Sequence, residues 1–176
     1  MTATLYRDGT FVPDDWTFLD LEASVPDAGE AIVLPLERFL EVVSDLGPDL
    51  RLGVLVASGE DVSRLVPHLD RVEMIAVDFP VFSDGRGYSS ARLLRQRMAF
   101  SGEIRAVGDV LLDQIPLMKR VGFTAFSITH EPTRRALEAG QDVGVPLYLQ
   151  PAGCTREVPG GARSWARRPS TGAQQY

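Results

Sequence analysis

The stretch Asp78–Arg92 concentrates two acids, two glycines, two arginines, a tyrosine and several serines within fifteen residues. It leaves an apolar segment that reads as a buried strand and runs straight into a helix. A connection needs only a few residues, and long, chemically loaded connections tend to carry function. Gly85, Arg86, Gly87 and Tyr88 lead into the helix that Ser89 opens, so free backbone N–H groups and the positive end of the helix dipole would face a ligand there. Arg86 and Arg92 would add charge and planar donor forks. That chemistry suits a small anion held by Asp84–Arg92. The alternative is structural, with Asp84 and Arg86 pairing to pin the loop. The segment is neither a Walker A loop nor a dinucleotide fingerprint, since Gly85-Arg86-Gly87 is followed by Ser90 where the fingerprint needs a glycine.

Asp78 and Asp109 each follow an apolar run. Two carboxylates on one rim could act as acid and base or hold a metal. Each could equally cap the next turn through backbone N–H groups, the reading favoured for Asp109. Gln114 can reach the same rim, as can Ser127, Thr129 and His130. His68 and His130 are the only histidines and lack metal-ligand spacing. Cys154, the single cysteine, has no adjacent base motif and excludes an intrachain disulfide. No Gly-x-Ser-x-Gly elbow occurs.

The elements that must position these residues follow from hydrophobic pattern. Leu5–Arg7 and Thr10–Val12 flank Asp8-Gly9, a tight-turn dipeptide, and predict a β-hairpin within residues 1–16. Asp14-Asp15-Trp16 ends that pattern, and residues 20–30 read as an acidic, turn-rich linker. From Ala31 apolar runs alternate with amphipathic stretches. Strands are expected at Ala31–Leu36, Leu50–Ala57, Val72–Phe79, Ile104–Val107 and Phe123–Ile128, with a further one at Val145–Leu149. Helices are expected at Glu37–Leu46, Glu60–Leu69 (capped by Ser58), Ser89–Phe100, Asp113–Val121 and Thr133–Ala139. About five βα units predict an α/β domain over residues 1–150 with a mainly parallel sheet covered on both faces. An open doubly wound sheet and a partial barrel fit equally. Either way, ligands belong beyond the carboxyl ends of the strands. Residues 151–176, rich in proline, glycine and arginine, read as a disordered tail.

Composition bounds the function. The chain has 176 residues, 44% of them hydrophobic and 24% charged, with a formal net charge of -6. The acidic balance argues against non-specific nucleic-acid binding. No signal pattern and no apolar run near ~20 residues is present, so a cytosolic protein without a membrane span is expected.

Ala76–Pro80, Phe82–Ser89, Ala91–Arg95, Glu103–Leu111, Asp113-Gln114 and Gly122–Phe126, with Arg7–Val12 and Trp16, resemble the bacterial domain-of-unknown-function family nine hundred and thirty-four. The resemblance spans about residues 5–130 and excludes the tail. It implies a setting beside assimilatory sulfite or nitrite reductase, with the label "probable oxidoreductase" for some members. It supplies no established reaction. No sirohaem, flavin or iron–sulfur motif is recognisable, so no cofactor is expected. Three functions remain open: an accessory protein of sulfite reduction that binds an anion or a reductase subunit through Asp84–Arg95; an enzyme acting on a small phosphorylated or carboxylated metabolite with Asp78 or Asp109 as acid or base; and a structural assembly factor.

Overall fold

Alternation between two faces of each strand organises this molecule. A computed structural model describes residues 4–26, 29–141, 143–144, 157–160 and 163–169. The hairpin forms as expected: β1 (Thr4–Arg7) and β2 (Thr10–Val12) pair antiparallel with Arg7 opposite Thr10. Asp8 and Gly9 both take positive φ, 52° and 85°, as a two-residue turn that matches strand twist requires. There follow β3 (Trp16–Phe18), β4 (Ala31–Pro35), α1 (Leu36–Val42) and β5 (Arg51–Val56). A 3-10 helix (Val62–Arg71) leads to β6 (Val72–Phe79) and α2 (Arg86–Gln96). The series closes with β7 (Glu103–Gly108), α3 (Ile115–Val121), β8 (Ala125–Ile128) and α4 (Glu131–Glu138).

These strands form one eight-stranded sheet in the order β2-β1-β8-β7-β6-β5-β4-β3. From β3 to β8 the strands are parallel and lie in chain order. The hairpin adds antiparallel to β8, with Tyr6 opposite Phe126. The sheet is therefore mixed, and it is a half-barrel. The described helices pack on the same face of the sheet, as crossovers of one hand between sequential parallel neighbours require. Ile32, Leu34, Val54, Ile75, Val77, Phe79, Ile104 and Phe126 share one core with Leu36, Phe39, Leu65, Ala91, Leu94, Met118 and Leu137 of the helices. Val33, Met74 and Ala76 form a second cluster with Trp16, Leu55 and Val107, which contains no helical residue. Of the two architectures that the pattern left open, the partial barrel is the one formed, although its sheet is mixed rather than purely parallel. The strands read as apolar on both faces because the sheet curls over its own inner side.

The curl has a visible cause in the chain. β2 and β3 are opposite edges of the sheet, yet only Pro13, Asp14 and Asp15 join them. Four residue steps span no more than about 14 Å, so the edges must bend toward each other. This strap also corrects the reading of Trp16, which opens a strand rather than ending a pattern. Arg105 on β7 lies fully buried beneath the strap, and its Nη1 donates to both Asp14 oxygens at 2.9 and 2.8 Å.

Other departures are local. The second helix is 3-10, since Pro67 inside it lacks the N–H that an α-helical ladder needs. Asp61 caps it by accepting from Ser63 N at 2.9 Å, in place of Ser58. In the tail, β9 (Glu157–Gly160) and β10 (Arg163–Pro169) pair antiparallel. The strand expected at Val145–Leu149 and the rest of the tail lie outside the described residues. Among the described residues no helix is long and apolar enough to cross a membrane.

Candidate functional site

The carboxyl ends of β5, β6 and β7 meet at one rim. Asp78 lies opposite Val107 and Phe79 opposite Gly108, so Asp78 and Asp109 share an edge as the sequence predicts. Thr129 joins them after β8, its hydroxyl donating to the Gly108 carbonyl at 3.5 Å. His130 instead caps α4, its Nδ1 lying 2.8 Å from Thr133 Oγ1.

The Asp84 carboxylate is the hub of the rim. It accepts from Ser58 Oγ at 2.5 Å, from Arg86 N at 3.1 Å, and from Arg86 Nε and Nη2 at 3.0 and 2.6 Å. The Arg86 guanidinium, followed by the Ser58 hydroxyl and the Arg86 amide, holds this carboxyl well below the usual carboxylate range. Its side chain is only 9% exposed, whereas that of Arg86 is 64% exposed. The positive end of α2 thus already carries an internal anion. Arg92 is exposed and donates to Gln96 Oε1 at 2.9 Å, one turn along its own helix. Ser89 is exposed and Tyr88 half-buried, its ring edge-on to Phe79 at 5.4 Å. Burial pushes the Tyr88 hydroxyl up, against a hydrogen bond with Gln114 that pulls it down.

The two glycines play different parts from those their neighbourhood suggests. Arg86 and Gly87 belong to the first turn of α2, which begins three residues before the expected Ser89. Gly87 is buried, and a Cβ there would stand 2.6 Å from Phe79 Cζ. Close packing of helix on sheet demands this glycine. Gly85 has ordinary φ of -84° and open space around it.

Asp78 differs from Asp84. Its carboxyl is half-buried, and burial pushes its proton affinity up, reinforced by the nearby Asp84 charge and opposed by a hydrogen bond from Phe79 N. Gly108, at φ 90°, lets the chain pass so close that a Cβ would meet Asp78 Oδ1 at 2.7 Å. Asp109 takes the capping role: its Oδ2 accepts from Phe82 N at 2.9 Å, while its own N–H donates to the Phe79 carbonyl at 2.7 Å. Gln114, itself buried, donates from Nε2 to the Phe82 carbonyl at 2.7 Å and accepts from Leu111 N at 2.9 Å.

Both backbone polar groups of Phe82 are therefore held by side chains from the β7–α3 connection. Its ring nonetheless points outward, 58% exposed, beside Val81 at 52%. Sequence reasoning singled out the polar residues of this loop and passed over these two, because an apolar residue after a strand reads as core. The contact from Ser58 was missed as well; its position just after β5 was the available signal.

A model of the family described as "Bacterial protein of unknown function (DUF934)" matches residues 53–148, from within β5 past the end of α4, and so contains the entire rim. No curated protein and no solved structure matches.

Proposed function

The chain belongs to the bacterial family of unknown function DUF934, and from that premise we propose that it is an accessory protein of assimilatory sulfite reduction that docks a reductase subunit through its rim loop. One observation carries this reading: a loop braced at Phe82 N, Phe82 O and Asp84 presents two apolar side chains to solvent. Folding gains nothing from bracing a loop whose apolar groups stay wet. Binding gains, because an ordered anchor loses little freedom on association, and exposed aromatics are typical of such anchors. A partner fits this surface better than a free anion does, since Asp84 occupies both the helix start and the fork of Arg86. The reductase is the partner that the family resemblance implies. The test is growth on sulfate as sole sulfur source in a strain lacking the native gene. Phe82→Asp should fail to restore growth while melting as the unaltered protein does; full growth would remove the loop from the function.

A second reading rests on Asp78. A half-buried carboxyl whose proton affinity is raised by burial, at the mouth of a parallel sheet, is suited to acid or base work on a small phosphorylated or carboxylated metabolite. Asp78→Asn that abolishes growth, together with Phe82→Ala that leaves it intact, would favour the enzyme over the docking protein.

A further inference from the structure

Arg105 is the largest fully buried side chain among the described residues, and neither reading above uses it. Its Nε donates to Glu103 Oε1 at 2.8 Å, and Glu103 Oε2 accepts from Arg7 Nη1 at 2.9 Å. Its Nη1 alone serves both oxygens of Asp14. Nη2 is buried and has no acceptor among the described residues. A guanidinium binds a carboxylate best as a fork, with two nitrogens on two oxygens. Asp14 leaves half of that fork unused, and a buried donor left unmet destabilises the folded protein. The carboxylate comes from the strap, where Pro13, Asp14 and Asp15 are all exposed. Among the hydrogen bonds of the strap, the Asp14 side chain is what reaches inward to β7.

We propose that Arg105 is a binding site for a small anion carrying two oxygens on one atom, a carboxylate or a sulfur oxyanion, and that Asp14 fills it as an internal stand-in. The entering anion takes the volume that the Asp14 carboxylate vacates and engages Nη1 and Nη2 together. The exchange preserves charge: Arg7 and Arg105 remain balanced by Glu103 and one further anion. The displaced strap, which joins the two edges of the sheet, is released. This site lies on the inner face of the sheet and stands apart from the docking proposal.

The test uses the full chain with Asp14→Asn, which keeps an acceptor for Trp16 N, now at 3.3 Å from Asp14 Oδ1. Acetate and sulfite are the two probes, each against chloride at matched ionic strength. The variant should melt lower than the unaltered protein, and either probe should raise its melting temperature selectively. Removing an internal competitor should also tighten apparent affinity by about tenfold or more, with the Arg105 Nε–H resonance shifting on titration. Binding of acetate alone identifies a carboxylate site, and of sulfite alone a sulfur oxyanion site. Equal responses in both proteins, no response in either, or an unmoved Arg105 resonance would overturn the proposal. Should the variant not fold, amide hydrogen exchange of residues 14–16 in the unaltered protein decides, above all at Trp16 N–H, whose acceptor is Asp14 Oδ1: the probes must accelerate it, and unchanged exchange refutes the stand-in.

Discussion

Asp78 and Asp84 are six positions apart on one rim, yet their surroundings push their protons in opposite directions. Asp84, held by Arg86 and Ser58, has a depressed folded value. Its contribution to stability is present above the unfolded carboxyl value of about 3.9 and is lost as pH falls through the lower folded value. Asp78, raised by burial, behaves inversely: its contribution is complete below about 3.9 and is lost as pH rises through the raised folded value. Thermal melts across a pH series should separate them. Asp84→Asn should be less stable than the unaltered protein at pH 7, with the gap closing in acid. Asp78→Asn should be at least as stable at pH 7, and its advantage should vanish in acid. Parallel curves for both variants would contradict the assignment. The opposite roles were not legible in the sequence, where both are aspartates in a polar segment. What distinguishes them is which side chains reach them across the rim, and Ser58 lies 26 positions from Asp84.

At the scale of elements, α2 shows how much packing decides. Gly87 sits against the Phe79 ring, so Gly87→Ala should cost about 1–3 kcal/mol through overpacking, measured by denaturant unfolding; a neutral result would mean the helix does not seat where described. At its other end Ala99 takes φ 52°, while Met98 N and Phe100 N donate back to the Leu93 and Leu94 carbonyls. A left-handed alanine is strained by about 1–2 kcal/mol. Ala99→Gly should therefore stabilise by about 0.5–1 kcal/mol, after the entropy glycine adds to the unfolded chain, and raise the melting temperature by about 2 °C. A lowered melting temperature would contradict that account. Strands β4 to β8 were legible because each is predominantly apolar, with only isolated polar residues such as Glu73, Arg105 and Ser127 inside the runs. β3 was not: three residues that pair with β4 only once the strap folds back carry no periodic signal of their own. The start of α2 was hidden because Gly85-Arg86-Gly87 reads as a flexible loop until Phe79 is known to press against it.

For the whole molecule, apolar runs showed that both strand faces are buried but not what covers them. A curled sheet and a doubly wound one share that pattern, and the three-residue strap between edge strands distinguishes them. The curl gathers the ends of β5, β6 and β7 into a rim, and Asp109, Gln114 and Asp84 hold one loop there with Val81 and Phe82 outward. The central claim is that this loop docks a reductase subunit. It is tested most directly by the equilibrium affinity of the purified chain for the assimilatory sulfite reductase of the same organism, beside Phe82→Ala. A buried aromatic anchor is worth about 2 kcal/mol or more, so the variant should bind at least ~30-fold more weakly with an unchanged melting temperature. Equal affinity of the two proteins, or no binding by the unaltered chain, would contradict it.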